Sequence, residues 1–371
     1  MKLELQVEWP TFRQWYCPGE EVHGRAVIHT TATESIKSIL ILLYGKAEIS
    51  FNPRIGRCSP SSSPGSNVEQ ATQQLFRSSK SIFPPDAIPT RGTVGFLGPG
   101  LHTFPFTIAF PTPSWEQLGN PPPYGIAADF PPSLDINTFG LKAHVVYSLK
   151  LKVQRRGLLH FDLSRKKAIP FRIPAQEQLA IESLYTTKVA TLPVDCFQHH
   201  KPASIDLPIP LACRAIRLEM DLPSPMILYP HRPLSLSLSI SVPRELSRII
   251  GTISLVLLML RLRTSTTVYT GSGARTDVTY DTICTVRGAI PILQAPEEES
   301  YRVDSGLWRN HAVPSVPPSF TCPGMARMHA LEVIAGFSPW LQEQVQHTFI
   351  ITDVVMAGEP IPDHSLPVLL E

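Results

Sequence analysis

The run GPGLHTFPFTIAFPTPS at residues 98–114, GNPPPYGIAADFPPSL at 119–134 and FGLKAHVVYSLKLKV at 139–153 decides the fold. Phe104, Phe106, Ile108 and Phe110 alternate with Pro105, Thr107 and Ala109, the period-2 pattern of a half-buried strand. Ala143, Val145, Tyr147, Leu149, Leu151 and Val153 alternate in the same way with His144, Ser148, Lys150 and Lys152. The connection between these two strands is too rich in proline to be helix or central strand.

Working outward, the same pattern recurs. Leu3, Leu5 and Val7 open the chain as a strand, HGRAVIHT at 23–30 gives a second, and SILILLYGKAEI at 38–49 a third. Residues 52–74 carry no apolar period and read as a low-complexity, mobile insertion, with a strand resuming at Leu75–Phe83. In the second half, Leu234, Leu236, Leu238 and Ile240 alternate with serines, and TVYTGSGARTDVTY at 267–280 reads as a hairpin. With no convincing amphipathic helix, the chain reads as all-β, two tandem immunoglobulin-like sandwiches. The expected boundaries are a first sandwich at 1–174, a linker at 175–208, a second sandwich at 209–357 and a short tail at 358–371.

Composition narrows the function. Of 371 residues 38 are proline, about twice the usual frequency, which favours short strands and loops over long helices. A formal charge of +2 gives no reason to expect nucleic acid. The six cysteines lack metal-ligand or disulfide spacing and read as free thiols of a reducing compartment; no metal and no cofactor is expected. The N-terminus has no secretory h-region, and the apolar run Ile249–Leu260 is too short for a span of roughly 20 residues, so it reads as a buried strand. No nucleophile elbow, zinc-protease motif, P-loop or dinucleotide fingerprint is present, and the expectation is a non-enzyme.

Two features carry recognition chemistry. Pro121, Pro122 and Tyr124 within Pro-Pro-Pro-Tyr match a WW-domain ligand: consecutive prolines prepay the entropy of a polyproline II helix, and the tyrosine fills an adjoining pocket. The competing reading is a proline-rich crossover loop with Tyr124 packed on its own domain. Arg155, Arg156, Arg165, Lys166 and Lys167 form two basic clusters around a hairpin, suited to acidic cargo or anionic lipid. The bland alternative is a solvated hairpin end. Lys150 and Lys152 lead into it.

YCPGEEVHGRAVI at 16–28, IKSILILLYGKAEI at 36–49, GPGLHTFPFTIAFP, FPPSL at 130–134 and AHVVYSLKLKV together resemble the N-terminal domain of fungal α-arrestins. VPPSF-x-CPGMARMHALEV at 316–333 resembles the matching segment of their C-terminal domain. The resemblance implies two arrestin-type sandwiches in a cytoplasmic adaptor, peripheral at the plasma membrane or endosomes. Such adaptors bridge the cytoplasmic tails of plasma-membrane transporters or receptors to a WW-domain HECT ubiquitin ligase, and in an adaptor of this type the resemblance makes Lys150 and Lys152 candidate ubiquitin acceptors. Relatives usually carry their Pro-Pro-x-Tyr motifs in a long C-terminal tail; here the one match lies inside the first domain. A ligase-independent scaffold in sorting or signalling is the alternative, and a repurposed arrestin-fold enzyme or small-molecule binder, which would need a deep polar pocket, is a third.

Overall fold

The computed structural model describes residues 1–10, 13–51, 68–83, 95–112, 130–138, 141–156, 161–173, 184–193, 215–244, 252–271, 273–292, 300–322, 324–339 and 345–358. Nearly every described residue with regular structure is in a strand. The all-β expectation therefore holds, and the strands form two compact units.

The first unit comprises Met1–Pro174, Thr267–Asp277 and Phe320–Ala326. One of its sheets is antiparallel, built from β1 (Lys2–Glu8), β2 (Glu21–Thr30) and β6 (Gly100–Ala109) in that order. The other sheet centres on β3 (Glu34–Phe51). On one side lies β4 (Glu69–Phe83), and on the other β8 (Leu141–Arg155). The short β5 (Gly95–Leu97) pairs with β3, while β7 (Leu134–Thr138) and β9 (Leu163–Ala168) pair with β8. Val22, Ala26, Phe106 and Ile108 from the first sheet share one core with Ile39, Ile41, Leu43, Val145 and Leu149 from the second. Alternation produces this directly: in β6 the residues at 106 and 108 are buried while 105 and 109 are exposed. Pro105 is tolerated because β6 is an edge strand, where a missing N–H breaks no ladder on the open side. Val268, Phe320, Cys322 and Met325 belong to this first core as well.

A ring cluster fills one end of that core. Phe110 lies 4.9 Å from Phe171, 5.9 Å from both Phe76 and Tyr147, and 6.0 Å from Tyr16, centroid to centroid. The buried Tyr147 hydroxyl donates to the Pro131 carbonyl at 2.5 Å, and burial pushes its acidity far from the physiological range. Gly45 makes room for this ring: a Cβ there would sit 2.6 Å from Tyr147 Cε1. The segment YCPGEE is pinned beside the cluster. Tyr16 N–H donates to the Pro170 carbonyl at 3.0 Å, Arg172 N–H returns a bond to Tyr16 at 2.9 Å, and Glu20 pairs with Arg13.

The other pair of sheets follows the same plan. β10 (Leu184–Pro193), β11 (Ala215–Ser224), β13 (Ser237–Ser241) and β16 (Tyr301–Arg302) form one. β12 (Ile227–Leu228), β19 (Gln346–Met356), β18 (Met325–Pro339), β14 (Ile253–Thr270) and β15 (Gly273–Pro291) form the other, with β17 (Phe320–Cys322) paired to β18. Leu218, Met220, Leu238, Ile240, Leu258, Leu260, Val333 and Phe337 make a second core. The single turn of helix α1 (Gly306–Arg309) plugs it with the buried Trp308.

Three local readings change. The strand expected from Leu75 begins at Glu69, so the end of the low-complexity insertion is structured: Glu69 pairs with Phe51 and Gln74 with Lys46. Its polar EQATQQ shows no apolar period because β4 is an edge strand held by β3's backbone, not by burial. Part of the expected linker is strand β10, paired with β11 from Leu184↔Ser224 to Pro193↔Ala215. It too is an edge strand with mostly exposed side chains. The serine-alternating stretch gives a strand only over Ser237–Ser241, although Leu234 is buried as its phase requires. The expected hairpin near Gly271 does form, β14 lying beside β15. No described helix is long and apolar enough to cross a membrane.

Candidate functional site: the basic β8–β9 hairpin

β8 and β9 run antiparallel from Ser148↔Ala168 to Val153↔Leu163. Their register sets the chemistry. Leu149, Leu151 and Val153 are fully buried, so Lys150 and Lys152 point to the outer face of the sheet. Lys166 stands directly opposite Lys150, a like-charge pair that costs a sheet free energy. Part of the cost is offset by the ring of Tyr44, 5.5 Å from the Lys166 ammonium. Lys167, opposite Leu149, turns over the rim of this edge strand and lies 5.6 Å from the Trp9 ring.

The five predicted basic residues thus lie on one hairpin but are not equivalent. Arg155 is largely covered and faces Glu34 at 3.6 Å, a structural ion pair. Arg156, Arg165 and Lys166 are exposed, and Lys167 is half-buried. Of the two candidate ubiquitin acceptors, Lys152 is engaged by Asp162 at 2.9 Å, while Lys150 is half-buried beside Lys166. The Asp162 carboxyl is drawn below its ordinary range, first by the Lys152 hydrogen bond and then by the Lys152 charge, the Arg155 backbone and the Gln154 side chain. Those bonds fasten the end of the hairpin. Pro121, Pro122 and Tyr124 lie outside the described residues.

Sequence reading passed over Phe161. It sits just before β9 beside this fastened aspartate and is 86% exposed, the most exposed large apolar side chain among the described residues. The signal was present in the sequence: apolar LLHF lies between Arg155-Arg156 and Arg165-Lys166-Lys167.

The same outer face carries a shallow hollow of about 410 Å³, lined by Glu48, Thr72, Asp135, Lys142 and His144 among others. His144 Nδ1 faces Asp135 Oδ1 at 3.4 Å with both groups well exposed, and Lys46 pulls the Glu48 carboxyl below its usual range through a hydrogen bond. Asp135 with His144 and Glu48 with Lys46 pair along the exposed lining rather than converging on one point, so the hollow offers polar contacts on an open surface. Among the described residues no group of three or more His, Cys, Asp or Glu could hold a metal ion. Cys17, Cys284 and Cys322 are buried free thiols; desolvation raises Cys17 and Cys322 to about 11, so both stay protonated and inert.

No curated protein matches the chain. Residues 5–170, which run from within β1 through β9 and include the basic hairpin, match the family model described as arrestin (or S-antigen), N-terminal domain, so this part of the chain is similar to that domain.

Proposed function

We propose that the protein is a trafficking adaptor of the α-arrestin type, with no chemistry of its own. It bridges membrane-protein cargo to a WW-domain HECT ubiquitin ligase, so that the cargo is ubiquitinated and internalised. The observation that carries this reading is the arrestin N-terminal domain at residues 5–170. The basic hairpin with Arg156, Arg165, Lys166 and Lys167 supports it by offering positive charge to an anionic partner, whether lipid headgroups or acidic cytoplasmic tails. Pro121, Pro122 and Tyr124 supply the ligase contact, and Lys150 is the better placed of the two lysines to accept ubiquitin because Lys152 is held by Asp162. The working location is the cytoplasm, peripheral to the plasma membrane or endosomes.

The test is a surface-proteome comparison of cells lacking the protein, cells with it restored, and cells carrying Tyr124→Ala. A subset of plasma-membrane transporters is expected to accumulate at the surface in its absence, return to normal with the wild type, and stay high with Tyr124→Ala. Full restoration by Tyr124→Ala would shift the reading to a ligase-independent scaffold. No change in any transporter would remove the adaptor reading.

A further inference from the structure

We propose that the β8–β9 hairpin docks on an anionic lipid bilayer, with Phe161 entering the headgroup–acyl boundary and Arg156, Arg165 and Lys166 against the headgroups. Three observations on the hairpin converge. Residues 150–167 contain seven Lys and Arg against a single acid, Asp162, whereas the whole chain carries only +2. Arg155 is balanced by Glu34 and Lys152 by Asp162, which leaves Lys150, Arg156, Arg165, Lys166 and Lys167 as the source of the hairpin's excess positive charge. The lone acid is already bonded to Lys152, so it does not oppose the exposed cations further along β9. Phe161, 86% exposed, stands at the end of the ladder between the two basic clusters.

Lysines on an edge strand are a common guard against strand-to-strand aggregation, which would account for Lys166 and Lys167 alone. It does not account for a phenylalanine held in water beside them. An acidic peptide could use the cations, but a ring 86% exposed offers it little enclosing surface. A bilayer uses both, since stable peripheral anchoring takes an apolar insertion together with a polybasic patch. The like-charge pair Lys150↔Lys166 fits the same account: it costs the isolated sheet but raises the local potential that an anionic surface neutralises. Membrane docking and ligase recruitment use different residues, so each survives failure of the other.

The experiment is co-sedimentation of the full chain with phosphatidylcholine vesicles and with vesicles containing phosphatidylserine. Binding is expected only to the anionic vesicles, falling as salt rises. Phe161→Ser is expected to weaken it about tenfold, and Phe161→Trp to preserve it. Arg165→Gln and Lys166→Gln are expected to weaken it about fivefold each. Equal sedimentation with neutral vesicles, or no sedimentation at all, overturns the proposal. So does anionic binding that Phe161→Ser leaves unchanged, because the ring would then play no part. Displacement from vesicles by a phosphorylated acidic peptide, with peptide binding equally strong for Phe161→Ser, would assign the hairpin to cargo instead.

Discussion

Replacing Phe110 with alanine is expected to destabilise the first unit by about 4 kcal/mol, the usual cost of removing a fully enclosed phenylalanine. Phe110 is only 2% exposed and touches four other rings, Tyr16, Phe76, Tyr147 and Phe171, drawn from segments more than 150 residues apart in sequence. Its removal leaves a cavity the surrounding strands cannot close, since Phe110 N–H is also held to the Glu20 carbonyl at 2.8 Å. For a unit of this size the midpoint should drop by about 10 °C. Tyr147→Phe is the matched comparison. It keeps the ring and deletes only the bond to Pro131, so a loss of about 1 kcal/mol is expected. Thermal or denaturant unfolding with a probe in the first unit reads both. A loss below about 1 kcal/mol for Phe110→Ala would mean that the ring cluster does not hold this core together.

The second large effect is a pH dependence from His329 on β18, opposite Val354 of β19. The ring is 2% exposed, and Nε2 lies 3.1 Å from the Pro317 carbonyl, which can only accept, so Nε2 carries the proton of the neutral form. Nδ1 has no hydrogen-bond partner among the described residues. Charging the ring would bury a second donor without an acceptor, beside Arg327. Burial first, and Arg327 second, therefore lower its value from 6.5 to about 3. The unfolded chain takes up a proton near 6.5 while the native chain does not, so between 6.5 and about 3 the unfolded state binds more protons. Stability from the neutral histidine is complete above that window and falls as pH drops through it, by up to about 1.4 kcal/mol per unit. Denaturant unfolding at pH 7.5 and pH 5.0 should show a difference of about 2 kcal/mol from this residue. His329→Gln keeps a donor for Pro317 and should shrink the pH difference by that amount. An unchanged difference in the variant would show that the ring titrates normally in the native state.

The sandwich cores were legible in the sequence because burial there follows alternation, from Phe104 to Phe110 and from Ala143 to Val153. Ser148 is the exception, buried although it shares the phase of Lys150 and Lys152. The start of β4, Glu69–Gln74, and the whole of β10 were hidden for the opposite reason. As edge strands they gain their order from a neighbour's backbone, and their side chains, polar or exposed, leave no period to read. Alternation is also silent about which core a side chain joins: Val268 keeps the phase of Leu262 on the same strand, yet Val268 lies in the first core and Leu262 in the second. At the candidate site, residue type gave the basic character of the hairpin. The roles depended on partners distant in sequence, such as Glu34 for Arg155, or on exposure, as for Phe161, and neither is written in local spacing.

The central claim, recruitment of a ligase through Pro121–Tyr124, is tested most directly by titrating the purified full chain and its Tyr124→Ala variant against isolated WW domains. The account predicts micromolar binding by the wild type, lost in the variant. No binding by the wild type, under conditions where a free PPPY peptide binds the same domains, would contradict it.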